Sequence, residues 1–413
     1  MPHDKNKEKQ EDSRKSERRK RRERKHGRKE RRNKSREFCP RESVLSTQEW
    51  VRSKQSGDPP SKYLQVIHPE EEAVYSEAKG LDSPVHGHFQ QRSAYSPEAF
   101  VAVVKHGRVW GKNGVVITPD HKLLADVSWE FTWDYIMNRR HSVFHKWEGH
   151  SLTKTDQTLG VLSYFSSGNY FHWMLDVLPR LGLLSYSGRA IDGYIICGDG
   201  APAFQNETLS LMGVPLNQVI YTHNRFHLQA RRLVVPSLTS RFTWTDNHYP
   251  LPIAYAKWAV EFLRQAFLEN RAPSKRGNKR LYISRAHAAQ RRLINEEEIV
   301  RLLASYGFTT ITPEYMTVDE QIRLFANAEA IVAPHGAALA NLAFCMPGTK
   351  VFELFAPSYT PGYYWMLSSH NALDYYYLIG KDRPQAVVSW AGASDFHMDP
   401  GLLSRLLTAA KLS

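Results

Sequence analysis

The chain has 413 residues, 42% of them hydrophobic, which is ample for packing and too long for one average core, so two domains are expected. Its net charge of +13 is uneven: residues 1–37 hold 18 Lys and Arg against 8 Asp and Glu, and the other 376 residues hold 37 against 34. The near-neutral remainder speaks against a nucleic-acid-binding body, and three widely spaced cysteines (Cys39, Cys197, Cys345) exclude a disulfide framework and favour a reducing compartment.

Lys5 to Glu37 contains no Val, Ile, Leu, Phe or Trp, so the tail is expected to be disordered and, if it binds anything, to bind an anionic membrane surface. No apolar signal core and no apolar run of membrane-spanning length follow, so a soluble, cytoplasmic protein is expected, peripheral to a membrane through its tail. Residues 38–95 read as linker and irregular structure. Short β-branched runs at 100–104, 108–110, 114–118 and 123–127, separated by His106-Gly107 and Pro119-Asp120-His121, predict antiparallel hairpins. Asn169 then caps a helical stretch with Phe171, Met174, Leu175 and Leu178 on one face, and Pro179 ends or kinks it. Strands are expected at 193–197 and 232–236.

Residues 279–355 carry the plainest pattern. Strands are expected at 280–284, 308–311, 330–332 and 350–354. The helices between them open at capping boxes, Asn295 with Glu298 and Thr317 with Glu320, and a helix follows from Ala337 to Cys345. This alternation predicts parallel βαβ units and an open α/β sheet. Ligands of such a sheet lie beyond its strands' carboxyl ends. Arg285, His335 and Glu353 satisfy that rule. The helix start at Gly336-Ala337 adds backbone amides, and Arg291 or Arg292 adds charge, which together suit a diphosphate. The G-x-G-x-x-G and Walker A patterns are missing. A second constellation is His172 with Asp176, four apart on one helix face, a pair able to take a proton from a hydroxyl, with Asp176 the slightly preferred contact to it.

Three stretches carry a family resemblance. They are Gly168-Asn169-Tyr170-Phe171-His172-Trp173 through Asp176-Val177-Leu178-Pro179-Arg180; Tyr282-Ile283-Ser284-Arg285 with Arg291-Arg292 and Asn295-Glu296; and Pro334-His335-Gly336-Ala337 through Asn341-Leu342 to Pro347-Gly348-Thr349. In this ordered combination the chain resembles glycosyltransferase family 61, the capsular-polysaccharide-biosynthesis-like group. The resemblance implies a GT-B-like fold, two Rossmann-like domains facing a cleft, and inverting transfer from a nucleotide sugar, usually a UDP-sugar, to a glycan or other acceptor. No metal and no organic cofactor are implied. The diphosphate is placed near Arg285 and His335, and Asn169, Trp173 and Arg180 are expected on the acceptor side. The domains expected are a basic tail (1–37), a linker (38–95), an acceptor-side domain (96–245), a donor-binding domain (246–385) and a C-terminal helix (386–413) returning to the N-terminal domain. A catalytically silent nucleotide-sugar-binding protein is the alternative; it has no need of His172 and Asp176. No specific nucleic-acid partner is expected.

Overall fold

The computed structural model describes residues 38–54, 63–81, 85–130, 141–145, 147, 151–198, 202–244, 250–269, 277–382 and 391–412. The basic tail, expected to be disordered, lies outside the described residues. In chain order the first elements are β1 (Glu42–Val44), α1 (Thr47–Ser53), β2 (Leu64–His68), β3 (Glu71–Val74), β4 (Ser93–Ser96) and β5 (Ala99–Lys105). There follow β6 (Arg108–Trp110), β7 (Val115–Ile117), β8 (Lys122–Leu124), β9 (Thr153–Val161), α2 (Tyr170–His172), α3 (Arg180–Ser185), β10 (Gly193–Cys197), α4 (Ala203–Leu211), β11 (Val219–Thr222) and β12 (His227–Pro236).

These strands form one mixed sheet, apart from the separate β3–β4 pair. Strands β12, β9, β10 and β11 run parallel in that spatial order. The meander β6–β7–β8 is antiparallel, as the turn residues predict. The His106-Gly107 bend, however, is not a hairpin turn. Strands β5 and β6 both pair antiparallel with β12, at Arg232–Pro236 and His227–Gln229, so they are successive segments of one path. His106 takes φ 54 there, and a side chain at Gly107 would meet Val104 at 2.8 Å and Leu233 at 2.9 Å.

The second half contains the β13 (Ser240–Trp244) and β14 (Pro250–Tyr255) hairpin, α5 (Lys257–Leu268), β15 (Lys279–Ile283), α6 (Glu296–Ser305), β16 (Phe308–Ile311) and α7 (Val318–Ala326). Then come β17 (Ala328–Pro334), β18 (Lys350–Phe355), α8 (Tyr363–His370), β19 (Asp374–Ile379) and α9 (Pro400–Ala409). The sheet is all parallel in the order β16-β15-β17-β18-β19. Strand β17 buries Ala330 to Pro334 without alternation, as a strand covered on both faces must. Helix α7 opens with the expected Thr317–Glu320 capping box and buries Val318, Ile322 and Phe325.

Three further expectations are corrected. Residues 38–95 are not merely linker: β1 pairs with β8, β2 with β5, and β3 with β4. Lys79 also pairs along β19, donating to the Tyr375 carbonyl at 3.1 Å and accepting from Tyr377 N–H at 2.9 Å, so this early segment borders the C-terminal sheet. Asn295 does not cap α6 with its side chain; it bonds both polar atoms of the Met398 backbone, at 2.8 and 3.1 Å. Helix α9 packs Leu403, Leu406 and Leu407 against Tyr282, Ile299 and Phe352 of the C-terminal half, rather than returning to the N-terminal one. The helix expected after Gly336 is present as a 3₁₀ helix over Ala337–Phe344, whose buried Leu339 and Leu342 stack three residues apart. Among the described residues no helix is long and apolar enough to cross a membrane.

Candidate active site

Numbered by chain order, the parallel sheet of the second half reads 2-1-3-4-5, and its order reverses between β15 and β17. A crevice at the carboxyl ends of those two strands is the site such a sheet provides. Arg285 follows β15 there, and Gly336 follows β17. A largely apolar cavity of about 390 Å³ opens at this point, lined by Arg285, Pro313, Glu314 and Gly336 from one half and by Tyr170 and Phe204 from the other.

Arg285 lies against Gly336 so closely that a Cβ at 336 would stand 2.0 Å from Nη1. The glycine therefore makes room for the guanidinium. Arg285 donates from Nη2 to the Gln290 carbonyl at 3.0 Å. Burial, and next the like charge of Arg291, lower its pKa from the ordinary arginine value. Each of the two arginines leaves a buried Nε without a hydrogen-bond partner, and neither joins an ion pair among the described residues. Two half-buried, mutually repelling cations with spare donors are the groups that an anion site requires. Arg291 is held there at φ 57, unusual for a non-glycine residue, by its N–H bond to the Ala393 carbonyl at 3.4 Å and Nη1 to Gly392 at 3.1 Å.

A second cavity of about 110 Å³ meets the same Gly336-Ala337 turn and is lined by His172, His335, Arg291 and the tyrosines 255, 359, 363 and 364. Asn169 is exposed at its edge and accepts from Phe171 N–H at 2.9 Å, capping α2 as expected. After α2 the chain makes a π-turn over Trp173–Val177, with Pro179 just beyond. That turn leaves His172 Nδ1 2.7 Å from Asp176 Oδ2. Asp176 is fully buried, and its other oxygen accepts from Ser240 at 2.8 Å and Thr239 at 3.1 Å. Asp176 therefore cannot meet an acceptor, contrary to the preference stated above. The Thr239 hydroxyl also donates to the Leu175 carbonyl at 2.8 Å, so Ser240 is the main donor to that oxygen; with the imidazole Nδ1–H directed at Oδ2, Nε2 is the basic nitrogen.

His335 is similarly tethered, Nδ1 lying 2.5 Å from Glu353 Oε1, while Tyr375 donates to Oε2 at 2.5 Å. Glu353 is thus buried behind His335 and not a donor-site contact. Burial pushes its carboxyl pKa up. Burial, then the charges of Arg291 and Arg285, hold the His335 imidazole well below its usual value, so it is neutral.

Three further expected contacts are structural. Arg292 faces outward and pairs with Asp395 at 2.8 Å. Trp173 is fully buried, donating to Thr208 at 2.8 Å. Arg180, also fully buried, donates to the carbonyls of Ser237 (3.1 Å), Ser163, Val161 and Pro236 (each 3.2 Å), clamping the ends of β9 and β12. Its pKa, pulled down to about 10 by burial, still leaves it charged at neutral pH. Arg180→Met would strand four carbonyls and is expected to cost about 3 kcal/mol or more, read as a lowered midpoint in denaturant at unchanged slope.

The sequence reading missed the tyrosines of the smaller cavity. Tyr359, Tyr363 and Tyr364 follow the carboxyl end of β18, so the strand-end rule applied one strand further would have found them. It also missed Thr239 and Ser240, which bond Asp176 across more than 60 residues and leave no local signal.

Residues 170–352, somewhat under half of the chain, match the family model described as Glycosyltransferase 61. That range includes His172, Asp176, Arg285, Arg291, His335 and Gly336. A stretch of 100 residues is 27% identical to a beta-1,2-xylosyltransferase from Arabidopsis thaliana, covering 21% of this chain and 19% of that protein. The matched stretch thus spans about a fifth of that relative's length.

Proposed function

We propose that the protein is an inverting glycosyltransferase with GT-B-like architecture, in which residues 96–245 form the acceptor-side domain and 246–385 the donor-binding one. The supporting observation is the meeting of two cavities at Gly336-Ala337, one apolar beside paired arginines, the other holding a carboxylate-bound imidazole. The larger cavity suits a nucleoside, the base against Tyr170 and Phe204 and the diphosphate against Arg285 and Arg291. The sugar then lies among the tyrosines of the smaller cavity. His172 Nε2 takes the acceptor hydroxyl's proton as that oxygen bonds to the anomeric carbon. The bond from that carbon to the diphosphate oxygen breaks on the opposite face, and the leaving charge is met by the two guanidiniums. Asp176 holds the imidazole and stabilises its protonated form. The carboxylate-bound imidazole favours this over a silent binding protein, which has no use for a base.

The donor is a UDP-sugar in this reading. A calorimetric panel of nucleotide sugars tests it: tight binding of one UDP-sugar is expected, and binding of none would overturn it. Among the described residues no three His, Cys, Asp or Glu gather as metal ligands would. With Arg285 and Arg291 meeting the diphosphate, transfer is expected to survive excess EDTA; a full loss restored by manganese would show that a cation shares the task. The tail (1–37) is proposed to bring the enzyme to an anionic membrane surface, an attraction that weakens with salt.

A further inference from the structure

Tyr170 lines the larger cavity, and His172, two residues on, lines the smaller. The Tyr170 hydroxyl donates to Asn341 Oδ1 at 2.7 Å, and Asn341 Nδ2 donates to Gln321 Oε1 at 2.8 Å. Gln321 in turn donates to the carbonyls of Pro313 at 3.0 Å and Met316 at 3.3 Å. Those two residues belong to the loop that walls the larger cavity. Asn341 is fully buried and Gln321 nearly so, so each link costs the desolvation of a polar group if broken. The chain crosses from one half of the molecule to the other and ends at the first turn of the short helix before the π-turn.

We infer that Tyr170, Asn341 and Gln321 form a positioning chain through which a ligand in the larger cavity sets the placement of His172. The inference rests on the nucleotide reading of that cavity. A nucleoside packed on the 313–316 loop fixes the carbonyls that hold Gln321. Gln321 fixes Asn341, and Asn341 fixes the Tyr170 ring and the turn carrying the base. None of the three residues exchanges a proton with substrate.

Amide hydrogen exchange with UDP as the probe tests this directly. In the native protein UDP is expected to slow exchange both in residues 313–318 and in residues 170–178. In Tyr170→Phe, which keeps the ring, the slowing at 313–318 should persist while that at 170–178 falls by about threefold or more. Asn341→Ala, which removes both links, should give the same split if Tyr170→Phe does not fold. In turnover, kcat should fall about tenfold with the donor KM changed by about twofold at most. Protection of both segments in the variant as in the native protein would overturn the chain alone. Protection of neither segment in the native protein would overturn the nucleotide reading and the inference together.

Discussion

His172→Ala is expected to lower turnover by on the order of 10²- to 10⁴-fold, the usual contribution of a positioned general base. Binding of UDP by calorimetry should change little, because the imidazole lines the smaller cavity and not the larger one that Arg285 lines. Asp176→Asn should fall nearly as far by a different route. An amide at 176 still accepts from the Ser240 hydroxyl, 2.8 Å away, but can present its NH₂ to His172 Nδ1 and so reverse the tautomer. The two losses are then far from additive, since both remove one base. A double variant whose loss equals the product of the single losses would show that the residues act separately, and near-normal turnover in both single variants would remove the pair from the chemistry.

The second large effect is on donor binding. Arg285→Ala should cost about 3 kcal/mol or more, on the order of 10²-fold in UDP affinity, because it removes a charged donor from a buried site. Arg285→Lys should recover only part of that, since an ammonium lacks the planar fork. Gly336→Ala provides a control without touching any charge. Its methyl would collide with Nη1, 2.0 Å from the Cβ position, and so displace the guanidinium. Loss of affinity in Arg285→Ala with none in Gly336→Ala would mean that the arginine binds from another position. Unchanged affinity in both would take Arg285 out of the site.

What was legible in the sequence follows the range of the forces involved. The βαβ alternation of 279–355 and the Thr317 capping box are local, set by side chains three to four apart, and the structure has them with small shifts of boundary. Arg285 and His335 could be placed at strand ends, and His172 on a helix face, because periodicity makes both legible. What a polar residue faces cannot. Glu353 sits at the right strand end, yet Tyr375 and His335 enclose it. Arg180 lies in the same motif as His172 but turns its guanidinium onto four carbonyls. Asp176 shares His172's helix face, but the hydroxyls that bury it arrive from residues 239 and 240. The π-turn between them has no signature in residue spacing. The short strands β1 and β2 were hidden for a similar reason: each is stabilised by a partner strand beyond residue 95.

The placement of Lys79 beside β19 has a bearing on how this chain can be divided. The segment also anchors the Trp365 indole, which donates to the Ser76 carbonyl at 2.7 Å, and the Tyr377 hydroxyl, which accepts from His86 N–H at 3.0 Å. Phe89 packs on the rings of Trp365 and Tyr377 at 5.6 and 4.6 Å. A C-terminal fragment beginning at residue 250 would thus leave one sheet edge bare and uncover aromatic rings, inviting self-association. Co-expressed as two separate pieces, residues 38–244 and 250–412 should stay together, with the N-terminal piece supplying what the other lacks.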